Sequence, residues 1–298
     1  MRVFVTGATG FIGSAIVQEL IGAGHQVLGL ARSEQAAQAL ADAGAEAHSG
    51  SLDDLDSLRQ GAAASDGVIH TAFVHDFSAY ATAGDTDRRA VEALGAALVG
   101  SGRPLVITSG ITVLTPGRLA TEDDALDPNA PSAPRIPSEE AIRALASQGV
   151  RASVVRLPPS VHGEGDHAFV PALIGIARST GVSAYIGEGL NRWPAVHRLD
   201  AAHLFRLALE QGTAGASYHG IADEGIPARN IAGVIGRHLN LPVVARSPEE
   251  AATHFGWLGN FFSVDCPASS TLTRQRLGCH PNRPGLIADL DEGHYFGS

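Results

Sequence analysis

Cysteine and basic side chains are scarce in this chain of 298 residues. Its two cysteines, Cys266 and Cys279, are too few for a disulfide framework or a thiolate metal site, so we expect two reduced thiols and no bound metal. Basic residues number 21 against 31 acidic ones, which gives a net charge of −10. That balance argues against a nucleic-acid partner, because the phosphates of a nucleic acid require a basic protein face.

Long apolar runs are lacking as well. No run reaches the roughly 18 residues that a membrane span needs, so we expect no membrane association. The first strand pattern follows Met1 directly and leaves no room for a signal peptide, which favours a cytoplasmic location. The composition, with 44% hydrophobic residues, is that of an ordinary globular protein.

Short apolar runs alternate with helical patterns along the chain. The predicted strands are RVFVTG, HQVLGLA, AEAHSG, DGVIHTAF, PLVITSG and RASVVRL. Strands that alternate with helices need crossover connections, which give a parallel sheet covered on both faces. The sequence therefore predicts an α/β fold with a Rossmann-type doubly wound sheet. One long proline-rich, acidic loop, residues 115–137, follows the fifth strand, and loops of that length are usually functional or mobile.

The first turn carries the clearest chemical signal. TGATGFIG places Gly7, Gly10 and Gly13 between a strand and a helix. The first glycine permits a tight turn, the second lets the backbone approach a pyrophosphate, and the third lets helix and strand pack closely. The helix N-terminus offers unpaired N–H groups to the phosphates. This spacing predicts a dinucleotide site.

The end of the second strand bears on which dinucleotide is bound. An acidic residue there favours NAD, whereas an arginine accommodates the 2′-phosphate of NADP. This chain has Arg32 and Ser33 at that turn. A guanidinium can hold a phosphate in a bidentate manner and a serine hydroxyl can add a hydrogen bond, so we expect NADPH. A merely solvated surface arginine is the alternative.

Taken together, these motifs resemble the short-chain dehydrogenase/reductase family, in its extended and atypical branches. TGATGFIG resembles the family's phosphate turn, GSLDD its adenine contact, DGVIHTAF its fourth strand, VITSG the segment with its catalytic serine, and RLPPSVHGEGD its nicotinamide segment. The resemblance implies catalytic Ser109. It also implies the following cofactor-binding residues: Gly7, Thr9, Gly10, Phe11, Ile12, Gly13, Ser51, Leu52, Thr71, Ala72, Phe73, Thr108, Pro158 and Val161.

The family's tyrosine–lysine pair is absent from its expected place, where this chain has Arg135 and Glu139. Arginine keeps its proton and cannot replace a tyrosine acid. Pro134 and Pro137 disfavour helix before Ser138, which would make a good N-cap. We therefore expect the helix to begin later than in the family, the tyrosine position to face away from the cofactor, and Arg135 and Glu139 to take no part in the chemistry.

A proton donor must then lie elsewhere in the pocket. Besides Ser109, the candidates are His75, Asp76, His162 and Tyr185. A histidine titrates near neutral pH and could act as a general acid, although either ring could equally be structural. Tyr185 could instead be an aromatic residue that lines the pocket.

The domain division follows the same resemblance. Residues 1–160, with 194–222 returning to them, form the predicted dinucleotide-binding domain, and residues 161–193 and 223–298 form a smaller substrate lobe. Phe73, Phe77, Tyr185 and Trp193 would give an apolar pocket, although some could pack in the core. The expected partner is a small carbonyl substrate, and a homodimer is left open.

Three functions fit this sequence. The first is NADPH-dependent reduction of a small hydrophobic ketone or aldehyde with non-standard proton delivery. The second is an NADPH-binding sensor without turnover. The third is a sugar-nucleotide epimerase or dehydratase, a class that usually keeps the tyrosine.

Overall fold

A computed structural model describes residues 1–76 and 79–297. The strands are β1 Arg2–Thr6, β2 Gln26–Ala31, β3 Glu46–Ser49, β4 Gly67–His70, β5 Pro104–Gly110, β6 Arg151–Leu157, β7 Ser160–His162, β8 Ser183–Ile186, β9 Arg192–His197, β10 Ser217–His219, β11 Asp223–Pro227 and β12 Val243–Arg246. The α-helices are α1 Phe11–Gly22, α2 Glu34–Asp42, α3 Leu55–Ala63, α4 Tyr80–Ala96, α5 Ile136–Ser147, α6 Phe169–Thr180, α7 Arg198–Gln211, α8 Ala228–Leu239, α9 Pro248–Phe255, α10 Gly259–Phe262, α11 Thr271–Leu277 and α12 Leu286–Asp291.

The main sheet has seven strands in the order β10-β6-β5-β4-β1-β2-β3. Each neighbouring pair in it runs parallel. The chain order reverses between β1 and β4, which is where a doubly wound sheet opens its ligand crevice. The predicted α/β fold with a Rossmann-type parallel sheet is confirmed. The sequence patterns predicted six of these strands and missed the short edge strand β10.

Helices cover both faces of this sheet. Apolar residues of α1, α2 and α7 pack on one face, around Ile16, Leu40 and Phe205. Those of α3, α4 and α5 pack on the other, around Leu58, Leu94 and Ile142. Side chains alternate along a strand, so the centre of a strand that is buried on both faces is a continuous apolar run, as Val3, Phe4 and Val5 of β1 are.

A second apolar cluster lies in the C-terminal part of the chain. It surrounds Trp193 and includes residues of α6, α8, α9 and α12. Two small sheets accompany it, one of order β11-β9-β7 and one of order β12-β8. The domain boundaries given above stay a prediction. None of the helices in residues 1–76 and 79–297 is both long and apolar enough to cross a membrane.

The start of α5 differs from the prediction. The helix begins at Ile136, directly after a 3-10 turn over Ala133–Arg135, and includes Pro137 and Ser138. Proline is tolerated in the first turn because the amides there have no intrahelical acceptor. Ser138 does not cap the helix; its hydroxyl is buried and donates to Asp87 at 2.6 Å. The expectation that Ser138 caps the helix is wrong, because the helix begins two residues before it.

The long loop of residues 115–137 is fastened to the C-terminal segment. Gly117 N–H donates to the Asp265 carbonyl at 2.7 Å, and Ala120 N–H donates to the Pro267 carbonyl at 2.9 Å. Ile111, Val113 and Ala268 contribute to a small apolar cluster beneath it. The loop therefore ties the chain after β5 to residues near the C-terminus.

Candidate functional site

The glycine turn after β1 lies against the end of β4. Gly7 has φ +68°, and a Cβ added there would come within 2.7 Å of the Ala72 backbone nitrogen. A Cβ at Gly13 would overlap the Gly7 carbonyl oxygen. Both positions therefore require glycine, the first for its left-handed conformation and its close neighbours, the second for helix–strand contact.

The N-terminus of α1 is exposed at the surface of the protein. Thr9 and Gly10 are exposed, Phe11 and Ile12 are half-buried, and no side chain caps the helix. A Cβ at Gly10 would meet only the Gly7 carbonyl oxygen, at 3.2 Å, so it would point into open space beside the helix amides. The first amides of α1 are unpaired and no acidic residue lies in its first turn. This helix N-terminus can therefore bind an anionic group. The turn fits a dinucleotide pyrophosphate.

Arg32 and Ser33 follow β2 and are both exposed. The Ser33 hydroxyl oxygen accepts from the Ala36 N–H at 3.2 Å and so caps α2, which leaves its proton free to donate. Among the described residues Arg32 has no ion pair, and β2 ends at Ala31 rather than at an acid. Their role toward a 2′-phosphate stays a prediction.

The other predicted cofactor residues follow β3, β4 and β6, except for Thr108 near the end of β5 and Val161 within β7. Ser51, Leu52, Thr71, Ala72, Phe73 and Thr108 are half-buried, and Pro158 and Val161 are buried. Two of them already have partners: the Thr71 hydroxyl donates to the Thr6 carbonyl, and the Thr108 hydroxyl donates to the His70 carbonyl. Their hydroxyls therefore fasten the strand ends to one another.

Ser109 lies at the end of β5, where the sequence predicts a catalytic serine. Its side chain is 2% exposed. Its hydroxyl oxygen has no hydrogen-bond partner in the part of the chain that the structure describes. A buried hydroxyl without a partner is costly, so this group is suited to receive an acceptor from a ligand.

Arg135 does not face away from the cofactor region, contrary to the expectation. Its guanidinium carbon lies 4.2 Å from the centre of the Phe73 ring. One guanidinium nitrogen donates to the Thr108 carbonyl at 2.7 Å, one peptide bond before Ser109. Because α5 starts at Ile136, Arg135 stands at the helix N-terminus and reaches back over the ends of β4 and β5.

Behind Arg135 lies a buried polar network that sequence reasoning missed. Asp87 of α4 is 1% exposed and accepts from Nε2 of His70 and from the Ser138 hydroxyl. Nδ1 of His70 is 2.7 Å from the Thr6 hydroxyl. Burial raises the pKa of Asp87, but the Arg135 charge and the hydrogen bonds outweigh it and hold the pKa below its ordinary value. A charged Asp87 therefore lies next to the Arg135 guanidinium and balances its positive charge.

Glu139 has a structural partner of opposite charge. It forms a bidentate ion pair with Arg156 of β6, at 2.7 Å for the shortest contact, and the side chains are 1% and 0% exposed. Burial and the Arg156 charge lower the pKa of the neighbouring His219 to about 4, so that ring is neutral at physiological pH. The chain contains no lysine at all. No residue of this protein can thus supply the ammonium of the family's pair.

His75 lies on the loop after β4. Its ring is 5.3 Å from the Phe73 ring, edge to face. Burial lowers its pKa, and so do the charges of Arg135 and His167. The Tyr80 ring, 5.9 Å from Phe73, is a further group that sequence reasoning passed over. His75 and Tyr80 are thus the two acids gathered around Phe73.

His162 and Tyr185 do not join this group. His162 is fully buried, and its Nδ1 lies 2.8 Å from the Asp289 carboxylate of α12. Tyr185 lies on β8, paired with Ala245, and its ring packs against Gly189. Among the described residues no hydrogen bond or ring contact links either of them to Ser109 or Arg135. The structure therefore places these two candidates in the C-terminal part and not beside Ser109.

Aromatic side chains connect the loop after β4 with the C-terminal helices. Tyr80 and Phe261 lie 6.4 Å apart between ring centres, Phe261 and Phe169 5.8 Å, and Phe169 and Trp257 5.7 Å. We call Phe73, Tyr80, Phe169, Trp257 and Phe261 the aromatic wall. Trp257 is 50% exposed, whereas Trp193 is fully buried in the core. Phe77, a predicted pocket residue, lies outside the described residues.

The two cysteines are buried. Burial raises the pKa of Cys266 to about 12 and that of Cys279 to about 11, so both are protonated thiols at neutral pH. Neither provides a nucleophile for this site.

The sequence profile of the NAD dependent epimerase/dehydratase family matches residues 3–221. The chain belongs to this family. The match takes in the glycine turn, Ser109, Arg135 and Glu139. The family is an NAD(P)-dependent branch of the extended short-chain dehydrogenase/reductases, which confirms the resemblance seen in the motifs.

Two curated relatives and one solved structure illustrate the kinship. "Uncharacterized protein C2A9.02" of Schizosaccharomyces pombe is 56% identical over 99% of this chain and 100% of its own length. A 4-hydroxy-2-methyl-3-oxo-4-farnesyl-3,4-dihydroquinoline-1-oxide ketoreductase of Stigmatella aurantiaca is 31% identical over 73% of this chain and 67% of its own. The dTDP-glucose 4,6-dehydratase DesIV of Streptomyces venezuelae, solved with NAD, superposes with TM-score 0.79 at 22% identity, over 98% of this chain and 96% of that chain.

Proposed function

We propose that this protein is an NADPH-dependent oxidoreductase that reduces a small hydrophobic ketone or aldehyde. The observation that carries the proposal is the buried hydroxyl of Ser109 at the end of β5, which has no hydrogen-bond partner among the described residues. Such a hydroxyl is suited to polarise a carbonyl oxygen. The kinship with a ketoreductase supports this chemistry.

The cofactor is held by the chain's own groups. The amides of the glycine turn bind the pyrophosphate, Arg32 and Ser33 bind the 2′-phosphate, and Thr71, Ala72 and Phe73 line the remainder. When bound, NADPH supplies a hydride to the carbonyl carbon. Arg32 has no competing ion pair among the described residues, so its charge is available for a phosphate.

The substrate lies against the aromatic wall. Half-buried Phe169 and Phe261 and exposed Trp257 offer flat apolar surface, which favours an aryl or otherwise hydrophobic carbonyl compound over a sugar nucleotide. The reacting oxygen points toward Ser109. Its proton comes from His75 or Tyr80, the acids around Phe73.

One observation favours a second function, an NADPH-binding sensor without turnover. Glu139 is paired with Arg156 in the core and the chain has no lysine, so the acid–base pair of the family has no counterpart here. A sensor needs the cofactor site alone.

A panel assay separates the two functions. Purified protein is mixed with NADPH and a series of aryl, alkyl and sugar carbonyl compounds, and the absorbance of the reduced nicotinamide is followed. Steady turnover with an aryl carbonyl, lost in Ser109→Ala but with NADPH affinity retained, is the expected result. Tight NADPH binding with no consumption across the panel would contradict the reductase and favour the sensor.

A further inference from the structure

We propose that Arg135 is a catalytic residue that holds the reacting oxygen of the substrate together with Ser109, an inference that rests on the proposed function. It reverses the expectation that the arginine at this position takes no part in the chemistry.

Three contacts position the guanidinium. Its face lies on the Phe73 ring at 4.2 Å, one terminal nitrogen donates to the Thr108 carbonyl at 2.7 Å, and the same nitrogen is 3.7 Å from the Asp87 carboxylate. The side chain is 12% exposed. A planar cation stacked on a ring and anchored at one end has little freedom, so its position is set before a ligand arrives.

Asp87 balances the charge of Arg135 without consuming its donors. The 3.7 Å separation is too long for a hydrogen bond. The two oxygens of Asp87 are already taken, one by His70 at 3.1 Å and the other by the Ser138 hydroxyl at 2.6 Å. The guanidinium therefore stays charged in the interior while its remaining N–H groups are left for other acceptors.

One of these donors is unsatisfied. The Nε atom of Arg135 is buried and has no hydrogen-bond partner in the described part of the chain. The Ser109 hydroxyl, one peptide bond beyond the Thr108 carbonyl that Arg135 binds, is unsatisfied as well. Two buried donors without acceptors, next to a cation and an aromatic ring, are complementary to an aromatic oxyanion or a carbonyl oxygen that becomes one.

The role of Arg135 in the reaction follows from its chemistry. As the carbonyl carbon gains the hydride, the electron pair of the C–O π bond moves to the oxygen. The resulting alkoxide accepts hydrogen bonds from Ser109 and Arg135, whose positive charge stabilises it. Arg135 keeps its own protons. The alkoxide then takes a proton from His75, Tyr80 or water, and the oxidised nicotinamide and the alcohol are the products.

Binding of 4-nitrophenol tests this role apart from turnover. Its phenolate absorbs visible light and imitates the aromatic oxyanion. The protein–NADP⁺ complex is titrated with 4-nitrophenol over a range of pH, for the unmodified protein, Arg135→Met, Arg135→Gln and the control Arg143→Met. Arg143 is an exposed residue of the same helix. Melting curves and the Kd for NADPH establish that each variant is folded and binds cofactor.

We expect the bound phenol to ionise about one to three pH units lower in the unmodified protein and in Arg143→Met than in Arg135→Met, because a neighbouring cation favours the anion. With the best carbonyl of the panel, kcat should fall about 10²-fold or more in Arg135→Met. Arg135→Gln keeps a donor for the Thr108 carbonyl and should show the same rise in the ionisation pH of the bound phenol and the same fall in kcat. It replaces Arg135→Met in the comparison if Arg135→Met fails to fold.

Equal ionisation of the bound phenol in the unmodified protein and in either Arg135 variant, or no bound phenolate in the unmodified protein, would overturn the role of Arg135. That result leaves the panel assay unaffected. A panel without turnover would instead refute the reductase, and an Arg135-dependent phenolate signal would then show that the oxyanion site exists in a protein that does not reduce carbonyls.

Discussion

At the scale of single residues, the hydroxyls of Ser109 and Ser138 have opposite roles although both are buried. Ser109 has no partner among the described residues, whereas Ser138 donates to Asp87. We expect Ser109→Ala to lower kcat about 10²-fold or more with an unchanged melting temperature, because the alanine removes no hydrogen bond of the protein. Ser138→Ala should cost about 1.5–3 kcal/mol in the free energy of unfolding, because its hydroxyl donates to a charged carboxylate. Denaturant titration beside the kinetic assay checks both, and a strongly destabilised Ser109→Ala would show that its hydroxyl serves the fold.

We propose that Arg32 gives the protein its preference for NADPH over NADH. Loss of a charge-assisted contact to the 2′-phosphate is worth about 1.5–3 kcal/mol, so Arg32→Ala should weaken NADPH binding roughly ten- to a hundredfold and leave NADH unaffected. Calorimetric Kd values for both cofactors measure this, with Arg143→Ala as an exposed arginine control. Equal affinity of the unmodified protein for NADPH and NADH would refute the assignment.

The proton donor can be recognised from the pH dependence of turnover. Burial and the Arg135 charge hold the pKa of His75 below its ordinary value of about 6.5. An imidazolium acid is charged only below that lowered pKa, so turnover should rise as the pH falls through it and decline at higher pH. His75→Ala would abolish this dependence.

If Tyr80 supplies the proton instead, turnover should not depend on the charge of His75. Tyr80→Phe would then remove most of the activity and His75→Ala would not. A flat pH profile in both variants would point to water as the donor.

At the scale of elements, helix α5 shows where sequence reasoning fails. The prolines disfavour helix before Ser138, yet Pro137 lies in the first turn of α5. An N–H in that turn would have no intrahelical acceptor, so the missing N–H of proline costs no hydrogen bond there. The helix therefore starts at Ile136 and brings Arg135 to the strand ends. By contrast, the apolar patterns alone predict β5 and β6 correctly, because buried parallel strands are continuous apolar runs bounded by turns.

The second residue of interest on α5, Glu139, stabilises the helix against β6. Glu139→Gln leaves the Arg156 charge buried and unpaired, which should lower the free energy of unfolding by about 3–5 kcal/mol. Denaturant titration measures the loss, and Glu140→Gln, an exposed neighbour, serves as the control with little expected effect. A loss of activity without a loss of stability in Glu139→Gln would instead place Glu139 in the chemistry.

At the scale of the whole molecule, local patterns predicted the doubly wound sheet and its glycine turn, since both depend on residues close together in the sequence. They could not predict contacts made across the chain. Asp87 meets Ser138 over 51 residues, and the aromatic wall joins Phe73 and Tyr80 to Phe261. His162 looked like a site residue by its place after β6, but its partner is Asp289, 127 residues away.

The loop of residues 115–137 is a long-range feature of the same kind. It begins six residues after Ser109 and contains Arg135. Its backbone hydrogen bonds to Asp265 and Pro267 tie it to the segment that follows the aromatic wall. The position of Arg135 thus depends on the whole chain. This is why the composition of the loop alone suggested only a functional or mobile segment.

Isotope transfer tests the central claim, that the chain directs hydride to a carbonyl, most directly. The protein is incubated with the best aryl carbonyl of the panel and NADPH carrying deuterium at the pro-R or the pro-S position of the nicotinamide C4, and the alcohol is analysed by mass spectrometry. We predict one deuterium in the product from one of the two cofactors and none from the other, with labelled alcohol forming about 10²-fold more slowly in Ser109→Ala. NADPH that binds tightly, with no deuterium found in any alcohol from either cofactor, would contradict the account.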